Sequence, residues 1–410
     1  MNVVVINTGT ELLLGSVLNT HLTFIARQLF PFGLRVAKQL TVPDGDAIRE
    51  TLAGNFERAD LIFVTGGLGP TTDDITREVT ADLLRRPLKQ NEEVAASITK
   101  RLRTRGYPMT DRILRQAEVP EGATVLPNAN GTAPGLYLAA DENAPHIFLL
   151  PGPPRELEPM FRESVVPILR SINAANAANA AIQCRTFRLT GVGESIVEAA
   201  VGEKILALKD LELGYCSRTG EVDVRLLGAD SVLNEAEALI RNAFPKAIFT
   251  TEDEQLEDVV IRLLVAQKQT VATAESCTGG YLGHRLTNVP GASAVYVGGF
   301  VTYANELKIG ELGVSENLIA ENGAVSRAVA GAMAEGARQK TNATHALATT
   351  GIAGPGGGSS EKPVGTVFIG LASADAELEV QRFRFFTDRK SFKRLTTRAA
   401  LEMLRQRLIA

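Results

Sequence analysis

The chain's 410 residues, 45% hydrophobic and 22% charged, suffice for two or three globular domains, and its net charge of −4 offers no basic excess for non-specific nucleic-acid binding. Three widely spaced cysteines form no CxxC pair and four scattered histidines form no zinc-like pair, so we expect a reducing, cytoplasmic location and no structural zinc. The start MNVVVINTGTELLLG lacks the basic region of a signal peptide, and no apolar run approaches the roughly 20 residues of a membrane-spanning helix.

Strands and helices alternate along the first segment, which runs to about residue 170. The apolar runs NVVVIN, VAKQLTV, DLIFVTGG and HIFLLPG predict strands, and helices are predicted over NTHLTFIARQLFPFG, AIRETLAGNFERA, ITREVTADLLRR and NEEVAASITKRLRTRG. Several strands are continuous apolar runs, which predicts a parallel α/β sheet with helices on both faces. Ligands collect at the carboxyl ends of the strands in such sheets, where the loops TGGLGPTTDD and LLPGPP begin.

The first of these loops, Thr65–Thr76, joins a strand to a helix and has the composition of a phosphate-binding loop. Its glycines let the backbone approach a phosphate, and helix N–H groups supply donors. The candidate binding residues are Gly66, Gly67, Gly69 and Thr71. Clustered carboxylates suit a hard divalent cation that bridges a pyrophosphate, and the candidate metal ligands are Asp73, Asp74 and Glu11. The alternative for Asp74 is a simple cap on the helix that follows.

Two further segments follow a low-complexity stretch. Residues 171–181, SINAANAANAA, are predicted to be a linker, or a helix end that runs into one. Residues 182–250 predict a compact α+β module that contains a hairpin, with Thr219 and Gly220 at its two-residue turn. From 253 to 410 strands and helices alternate again, which predicts a three-layer α/β sandwich.

A strand-to-helix turn near the start of this third segment carries the strongest chemical signal. A β-branched run ends at Ser276, then Gly279 and Gly280 follow, and a helical pattern begins. Backbone N–H groups at the start of a helix can stabilise negative charge that develops on a reacting group. The alternative is that Ser276 only caps the helix.

Tyr303 and Lys308 follow in a second glycine-flanked segment, and both side chains can accept or relay a proton. A serine with such helpers and no paired histidine predicts amide hydrolysis by an activated serine. Cys277 competes as the nucleophile because a thiolate at a helix start is activated, and roles for His284 or His345 stay open. Taken singly, Tyr303 is typical of a core aromatic residue and Lys308 of a solvated helix lysine.

The glycine-rich loop within Ala348–Val367, ATTGIAGPGGGSSEKPVGTV, is the second strong signal of this segment. So many glycines are costly in entropy unless a ligand approaches the backbone closely, which favours a phosphate or nucleotide over a slack surface loop. The candidate substrate-binding residues are Thr350, Gly351, Gly354, Gly356 and Gly357, together with Gly279 and Gly280. Arg389, at the start of the last helix, is the candidate phosphate clamp, with Lys390 and Arg394 as competitors.

These strings resemble the CinA family, the competence/damage-inducible proteins, over essentially the full length. GTELLLG, TGGLGPTTDDIT and LLPGPPRELEPM resemble the family's molybdopterin-binding-like domain, here 1–170. Residues 182–250 resemble its KH-like module. AESCTGG, TYANELK, TTGIAGPGG and EKPVGTV resemble its nicotinamide-nucleotide amidohydrolase domain, here 253–410. The fold class implied is α/β: a parallel-sheet domain, a small α+β module and a three-layer domain.

The resemblance implies two hydrolytic activities. The last domain would deamidate nicotinamide mononucleotide to nicotinic acid mononucleotide and ammonia without a cofactor, with Ser276 as nucleophile and Tyr303 and Lys308 as the proton-transfer pair. The first domain would be an ADP-ribose pyrophosphatase that needs a divalent metal cation. We expect nucleotide substrates, a homodimer, no membrane and no nucleic-acid partner, since the KH-like module lacks a GxxG loop. The alternative is a non-catalytic nucleotide- or pterin-binding protein, or a DNA-uptake accessory.

Overall fold

The computed structural model describes residues 1–175 and 183–410, which belong to two compact units, 1–181 and 182–410. The predicted linker, 171–181, begins inside a helix that runs to Ala175, and its remaining residues lie outside the described ranges. None of the helices within these ranges has the length and apolar character needed to cross a membrane.

The first unit is built on a six-stranded sheet, and its predicted parallel core is confirmed. The strands are β1 (Val3–Thr8), β2 (Val36–Val42), β3 (Leu61–Thr65), β4 (Leu88–Gln90), β5 (Glu118–Pro120), β6 (Thr124–Leu126), β7 (Gly135–Leu138) and β8 (His146–Leu150). The sheet order is β2-β1-β3-β8-β7-β6, in which the first four strands are parallel and the last two antiparallel. Strands β4 and β5 pair with each other apart from this sheet.

Helices cover both faces of this sheet, because the central strands are apolar on both sides. Every residue of β1 and β3 is buried, and separate apolar clusters lie on the two faces. The helices are α1 (Thr10–Leu13), α2 (His21–Leu29), α3 (Ala47–Ala53), α4 (Thr76–Leu83), α5 (Glu92–Arg105), α6 (Asp111–Leu114), α7 (Pro154–Met160) and α8 (Val166–Ala175). The N–H of Gly66 donates to the carbonyl of Leu150 at 2.9 Å, so the glycine-rich loop begins beside the Pro151–Pro154 loop.

The second unit begins with the predicted α+β module. Its strands are β9 (Gln183–Thr190), β10 (Glu212–Arg218), β11 (Glu221–Gly228) and β12 (Ile248–Thr250), in the antiparallel order β10-β11-β9-β12. The hairpin has the predicted two-residue turn, with Arg218 opposite Glu221 and Gly220 at a φ of +81°. The segment 194–206 forms α9 (Glu194–Val197) and α10 (Glu203–Leu206), joined by a π-helical turn, and α11 (Asp230–Ala243) follows.

The rest of the second unit is the expected three-layer domain. Its strands are β13 (Val271–Glu275), β14 (Tyr296–Val301), β15 (His345–Gly351), β16 (Thr366–Ser373) and β17 (Glu379–Arg384), in the order β14-β13-β15-β16-β17. Its helices are α12 (Leu256–Gln267), α13 (Tyr281–Thr287), α14 (Asn305–Leu312), α15 (Glu316–Asn322), α16 (Arg327–Thr341) and α17 (Arg389–Leu408). Helix α16 packs on one face and helices α12 and α17 on the other, so the predicted sandwich is confirmed.

The register of this second sheet brings the candidate catalytic segments to one edge. Strand β13 is parallel to both of its neighbours, with Glu275 opposite Val301 on one side and Thr349 on the other. The N–H of Ser276 donates to the Thr349 carbonyl at 2.9 Å, and the N–H of Thr302 donates to the Glu275 carbonyl at 2.9 Å. The serine turn, the segment that carries Tyr303 and the glycine-rich loop therefore all leave the sheet at the same end.

Candidate active site

The predicted nucleophile lies in a tight turn directly after β13. Ser276 is half-buried, and its hydroxyl makes no hydrogen bond to any residue that the structure describes. Gly279 and Gly280 both adopt left-handed backbone, with φ of +59° and +87°, which explains why glycines stand there. The N–H groups of Thr278 and Gly280 also have no acceptor among the described residues. An unbonded hydroxyl beside unbonded N–H donors is a suitable arrangement for attack on a carbonyl.

Glu275 organises this turn, although the sequence analysis did not select it. Its carboxylate is 1% exposed and accepts hydrogen bonds from the N–H groups of Leu282 at 2.9 Å and Gly283 at 2.8 Å. The first N–H groups of α13 are thus already paired with an anion, so this helix start is not the free anion site that the sequence suggested. The oxyanion donors that remain are those of the turn itself. The sequence did contain a signal for this role, namely a glutamate at the end of an apolar strand and next to the serine. A Glu that is buried in such a place is rarely without a partner.

We expect Glu275→Ala to destabilise the fold by roughly 2–4 kcal/mol, because it leaves two buried N–H groups without an acceptor and opens a small cavity. Glu275→Gln keeps one acceptor oxygen and should lose less. The measurement is chemical unfolding of the full chain. Glu335→Ala, which removes an exposed carboxylate from α16, is the matched control and should change the free energy of unfolding by less than about 0.5 kcal/mol. Equal losses in the two alanine variants would contradict this role for Glu275.

Lys308 is fully buried, contrary to the solvated lysine that its position on a helix allowed. Its side chain is 1% exposed, and its Nζ donates to the carbonyls of Thr302 at 3.0 Å, Tyr303 at 3.1 Å and Ala304 at 3.4 Å. Burial lowers the pKa of Lys308 from its ordinary value of 10.5, which makes the neutral amine more accessible. All three N–H bonds of the Lys308 ammonium donate to backbone carbonyls in the observed geometry. Lys308 therefore fixes the backbone of the segment that carries Tyr303.

Tyr303 is joined to the last helix and to the glycine-rich loop through one arginine. Arg389 donates from one terminal nitrogen to the Tyr303 hydroxyl at 2.9 Å and from the other to the Gly354 carbonyl at 3.0 Å. The Tyr303 ring is 59% exposed, so it is not a core aromatic residue. Of the three basic residues that compete at the start of α17, Arg389 is the one in contact with both predicted segments.

A further cation, Lys393, was missed in the sequence because it stands inside an ordinary basic helix. Its ammonium lies 5.9 Å from the centroid of the Tyr281 ring. It also lies 3.7 Å from the position that a Cβ would occupy at Gly279. Its Nζ makes no hydrogen bond to a described residue, so a half-buried positive charge faces the serine turn one helical turn after Arg389.

Their surroundings argue against Cys277 as the nucleophile and against His345 as a base. Cys277 is 5% exposed, and burial raises the pKa of its thiol to about 12, so the thiolate is scarcely populated near neutral pH. His345 is buried at the opposite end of β15, with both ring nitrogens bonded, to Ser373 and Gln269. His284 is exposed on α13, where it contacts Asn288.

The glycine-rich loop after β15 has two different parts. Thr350 is 1% exposed and donates its hydroxyl proton to the Ala324 carbonyl at 2.8 Å, so the structure turns this predicted ligand contact inward. Gly351 is needed for packing, since a Cβ there would lie 2.8 Å from the Thr366 carbonyl oxygen. Gly356 has open space around it, and Gly354 and Gly357 have φ of +75° and +89°, so this part of the loop can approach a ligand.

The predicted residues of the first unit line a separate cavity of about 370 Å³ at the carboxyl ends of β1, β3 and β8. The structure brings together the predicted Glu11, Gly66, Gly67, Gly69, Asp73 and Asp74. It adds two carboxylates that the sequence analysis missed, Asp44 and Glu156. Asp44 and Glu156 are remote in sequence from the glycine-rich loop, so only the fold shows that they line the same cavity. None of the described residues that line this cavity is Lys, Arg or His.

Thr71 and Asp74 hold the shape of the glycine-rich loop. The N–H of Thr71 donates to Asp74 Oδ2 at 2.9 Å, and the Thr71 hydroxyl donates to the same oxygen. Helix α4 has no side-chain cap, so the alternative that Asp74 caps it is wrong. Hydrogen bonding to Thr71 and to the loop backbone lowers the pKa of Asp73, which keeps this exposed carboxylate ionised.

These carboxylates do not form a closed metal site. Within 1–175 and 183–410, no three His, Cys, Asp or Glu side chains come close enough together to hold a metal ion. Mg²⁺ is commonly bound by one or two carboxylates together with substrate phosphates and waters. Asp73 and Asp74 fit that kind of incomplete ligand set, in which the ligand supplies the remaining oxygens.

Family models match three parts of the chain. The CinA C-terminal domain matches residues 253–408, a probable molybdopterin binding domain matches 4–171, and the damage-inducible protein CinA KH domain matches 184–248. Among solved structures, the competence/damage inducible protein CihA of Agrobacterium tumefaciens is 39% identical, covers 39% of this chain and 100% of its own, and has a TM-score of 0.36. CinA of Thermoplasma acidophilum is 34% identical, covers 41% of this chain and 99% of its own, and has a TM-score of 0.38.

Curated relatives match along nearly the whole chain. A CinA-like protein of Akkermansia muciniphila is 44% identical over 401 residues, which is 98% of this chain and 96% of the relative. A CinA-like protein of Dictyoglomus thermophilum is 39% identical over 413 residues, which is 99% of this chain and 98% of the relative. The chain therefore belongs to the CinA family, as its sequence motifs predicted.

Proposed function

We propose that the three-layer domain is an amidohydrolase that converts nicotinamide mononucleotide to nicotinic acid mononucleotide and ammonia. The observation that carries the proposal is the half-buried Ser276 hydroxyl, which has no hydrogen-bond partner among the described residues and lies in a turn whose Thr278 and Gly280 N–H groups also lack an acceptor there. Acyl transfer from an amide to a serine needs a reactive hydroxyl and N–H donors for the oxyanion, and this turn offers both. The resemblance of the surrounding motifs to the family's amidohydrolase domain supplies the substrate.

The reaction would run through an ester on Ser276. Its oxygen attacks the carboxamide carbon while its proton passes to the neutral form of Lys308, and the two turn N–H groups hold the oxyanion. The carbon–nitrogen bond then breaks, and ammonia leaves with a proton delivered through Tyr303. Water hydrolyses the ester, which gives the carboxylate product and restores the serine. The residues named here supply every proton transfer, so we expect no cofactor.

Two cations on successive turns of α17 suit the phosphate of the substrate. Arg389 is fixed by Tyr303 and Gly354, and Lys393 faces the serine turn without a hydrogen-bond partner among the described residues. A phosphate held between them would direct the attached nicotinamide ring toward Ser276, since charge-assisted bonds are both strong and directional.

We expect Lys393→Met to raise the KM for nicotinamide mononucleotide about tenfold or more, because it removes one cation from the phosphate site. Nicotinamide riboside has no phosphate, so its kcat/KM should be the same in the variant and in the unchanged chain. Steady-state ammonia release measures both. Lys390→Met removes an exposed charge from the same helix turn and should leave both substrates unaffected. A loss of equal size with the riboside would refute phosphate binding by Lys393.

The direct test of the proposed function is ammonia release by the purified full chain. With nicotinamide mononucleotide we expect one nicotinic acid mononucleotide per ammonia, at the same rate with and without a chelator. Absence of turnover, with binding of the nucleotide retained, would overturn the amidohydrolase and favour the alternative of a non-catalytic binding protein.

We further propose that the first unit hydrolyses the pyrophosphate of ADP-ribose. The observation that favours this second activity is the cavity at the carboxyl ends of β1, β3 and β8, where the described lining residues combine glycine-rich backbone and five carboxylates without a basic side chain. A pyrophosphate would be repelled there unless a cation accompanied it. Asp73 and Asp74 would hold a divalent cation that neutralises the phosphate charge.

We expect Asp73→Asn to lower ADP-ribose turnover at least about 100-fold, since one cation ligand is lost. Because the pKa of Asp73 is lowered, its ionised form persists into acid, and the Asp73-dependent rate should survive below the usual pH range of a carboxyl group. The measurement is AMP release against pH, with Mg²⁺ or with chelator. Asp111→Asn, an exposed aspartate on α6, is the matched control. Turnover undiminished by the chelator would refute the cation.

A further inference from the structure

A second cavity, larger than the first, lies in the first unit and belongs to none of the segments that the motifs singled out. It has a volume of about 490 Å³ and is lined by α5, by the loop 127–134 and by the helical segment around Ser164. Cavities of this size bind small organic ligands in other proteins. Helix α5 was predicted from the sequence without any functional role.

The two cavities are neighbours that share a wall. Thr132 lines both of them. Asn128 lines the second cavity, and its side chain donates to two residues that line the first, to Glu156 Oε2 at 2.9 Å and to the Ala133 carbonyl at 2.7 Å. The Asn128 Oδ1 accepts a hydrogen bond from the N–H of Gly131 at 2.7 Å. A Cβ at Gly131 would lie 1.9 Å from Glu156 Oε2. Hydrogen-bonded side chains therefore stand between the two cavities, and a ligand that occupied both would pass beside Thr132, the residue that they share.

The lining of the second cavity complements that of the first. The first is made of loop backbone and carboxylates, whereas the second has an aliphatic wall formed by Val94, Ile98, Val125, Pro127 and Pro134, with two exposed carboxylates, Glu93 and Glu163, also in its lining. The second also contains one guanidinium, that of Arg101. Its Nη2 donates to the Asn128 carbonyl at 3.3 Å and to the Ala129 carbonyl. Nε and Nη1 of Arg101 have no hydrogen-bond partner in the described part of the chain, and so they are available to a ligand.

We propose that this second cavity binds the nucleoside half of a nucleotide whose phosphates occupy the first cavity. A flat base suits the aliphatic wall, while the hydroxyls of Ser97 and Ser164 and the free nitrogens of Arg101 suit the ribose. The phosphates would then extend past Thr132 to the glycine-rich backbone. This inference rests on the proposed pyrophosphatase only for the choice of ligand, since it concerns binding rather than hydrolysis.

The test is calorimetric titration of the full chain with AMP and with ribose 5-phosphate, each with Mg²⁺. Ser97 is exposed on α5 at the rim of the cavity, so Ser97→Trp should fill it without unfolding the chain. We expect the Kd for AMP to rise at least tenfold and the Kd for ribose 5-phosphate to stay unchanged. Ala96→Trp places the same ring at the neighbouring exposed position, outside the cavity, and should bind both as the unchanged chain does. Ser164→Trp repeats the test from another helix.

The outcomes separate this inference from the second activity. ADP-ribose hydrolysis with equal AMP binding in the two α5 variants would overturn the nucleoside site and leave the pyrophosphatase intact. AMP binding that is lost only in Ser97→Trp, without any hydrolysis, would support the site and overturn the pyrophosphatase. Failure of the unchanged chain to bind AMP would overturn the site.

Discussion

Ser276→Ala should lower the kcat for deamidation of nicotinamide mononucleotide at least about 1,000-fold, because no other nucleophile among the described residues can replace the lost hydroxyl. Cys277 is adjacent but buried, and its pKa is raised to about 12. The variant should still bind the nucleotide, since the phosphate cations and the glycine-rich loop are unchanged. Ammonia release and equilibrium binding are the two measurements.

The same substitution should leave the fold intact. The Ser276 hydroxyl makes no hydrogen bond to a described residue, so its removal should change the free energy of unfolding by less than about 0.5 kcal/mol. Ser293→Ala removes an exposed serine at the opposite end of the sheet and should retain the full rate. A Ser276→Ala chain that keeps more than about a tenth of the rate would eliminate the serine ester from the mechanism.

Elements with a clear hydrophobic period could be predicted from the sequence, and short ones could not. The predicted strand VAKQLTV has the same bounds as β2, and the predicted helix ITREVTADLLRR contains the whole of α4. The stretch 106–145 gave no prediction, yet it contains β5, β6 and β7, which are only three or four residues long. A strand that short shows no alternation of its own, and its pairing is decided by the neighbour that it meets.

The candidate sites show a similar division. Local motifs identified the serine turn and the loop Thr65–Thr76, because special backbone geometry restricts which residues are allowed there. Glu156 and Lys393 could not be assigned, since each looks like a surface charge until the fold places it beside a remote loop. For Thr350 the sequence predicted the position in the chain fold but not the direction of the side chain, which turns inward to the Ala324 carbonyl.

The second large effect is expected at Lys308, whose replacement should lower both the free energy of unfolding and the rate of the reaction. Lys308→Met leaves the carbonyls of Thr302, Tyr303 and Ala304 without their common donor, and we expect a loss of roughly 2–4 kcal/mol in the free energy of unfolding. It should also lower kcat at least about 100-fold, because Tyr303 loses its fixed position and the serine loses its proton acceptor. Lys340→Met, at an exposed position on α16, is the control and should change neither quantity.

The pH dependence decides whether Lys308 takes the proton or only holds Tyr303. Burial lowers the folded pKa below 10.5, so between the two values the unfolded chain binds more protons. The stability of the unchanged chain, measured relative to Lys308→Met, should therefore rise with pH across that window. A proton acceptor must be neutral, so kcat of the unchanged chain should rise with pH up to the lowered pKa of Lys308 and level off above it, whereas the residual kcat of Lys308→Met should not rise. A kcat that stays flat below the pH at which the stability begins to rise would assign Lys308 to positioning alone.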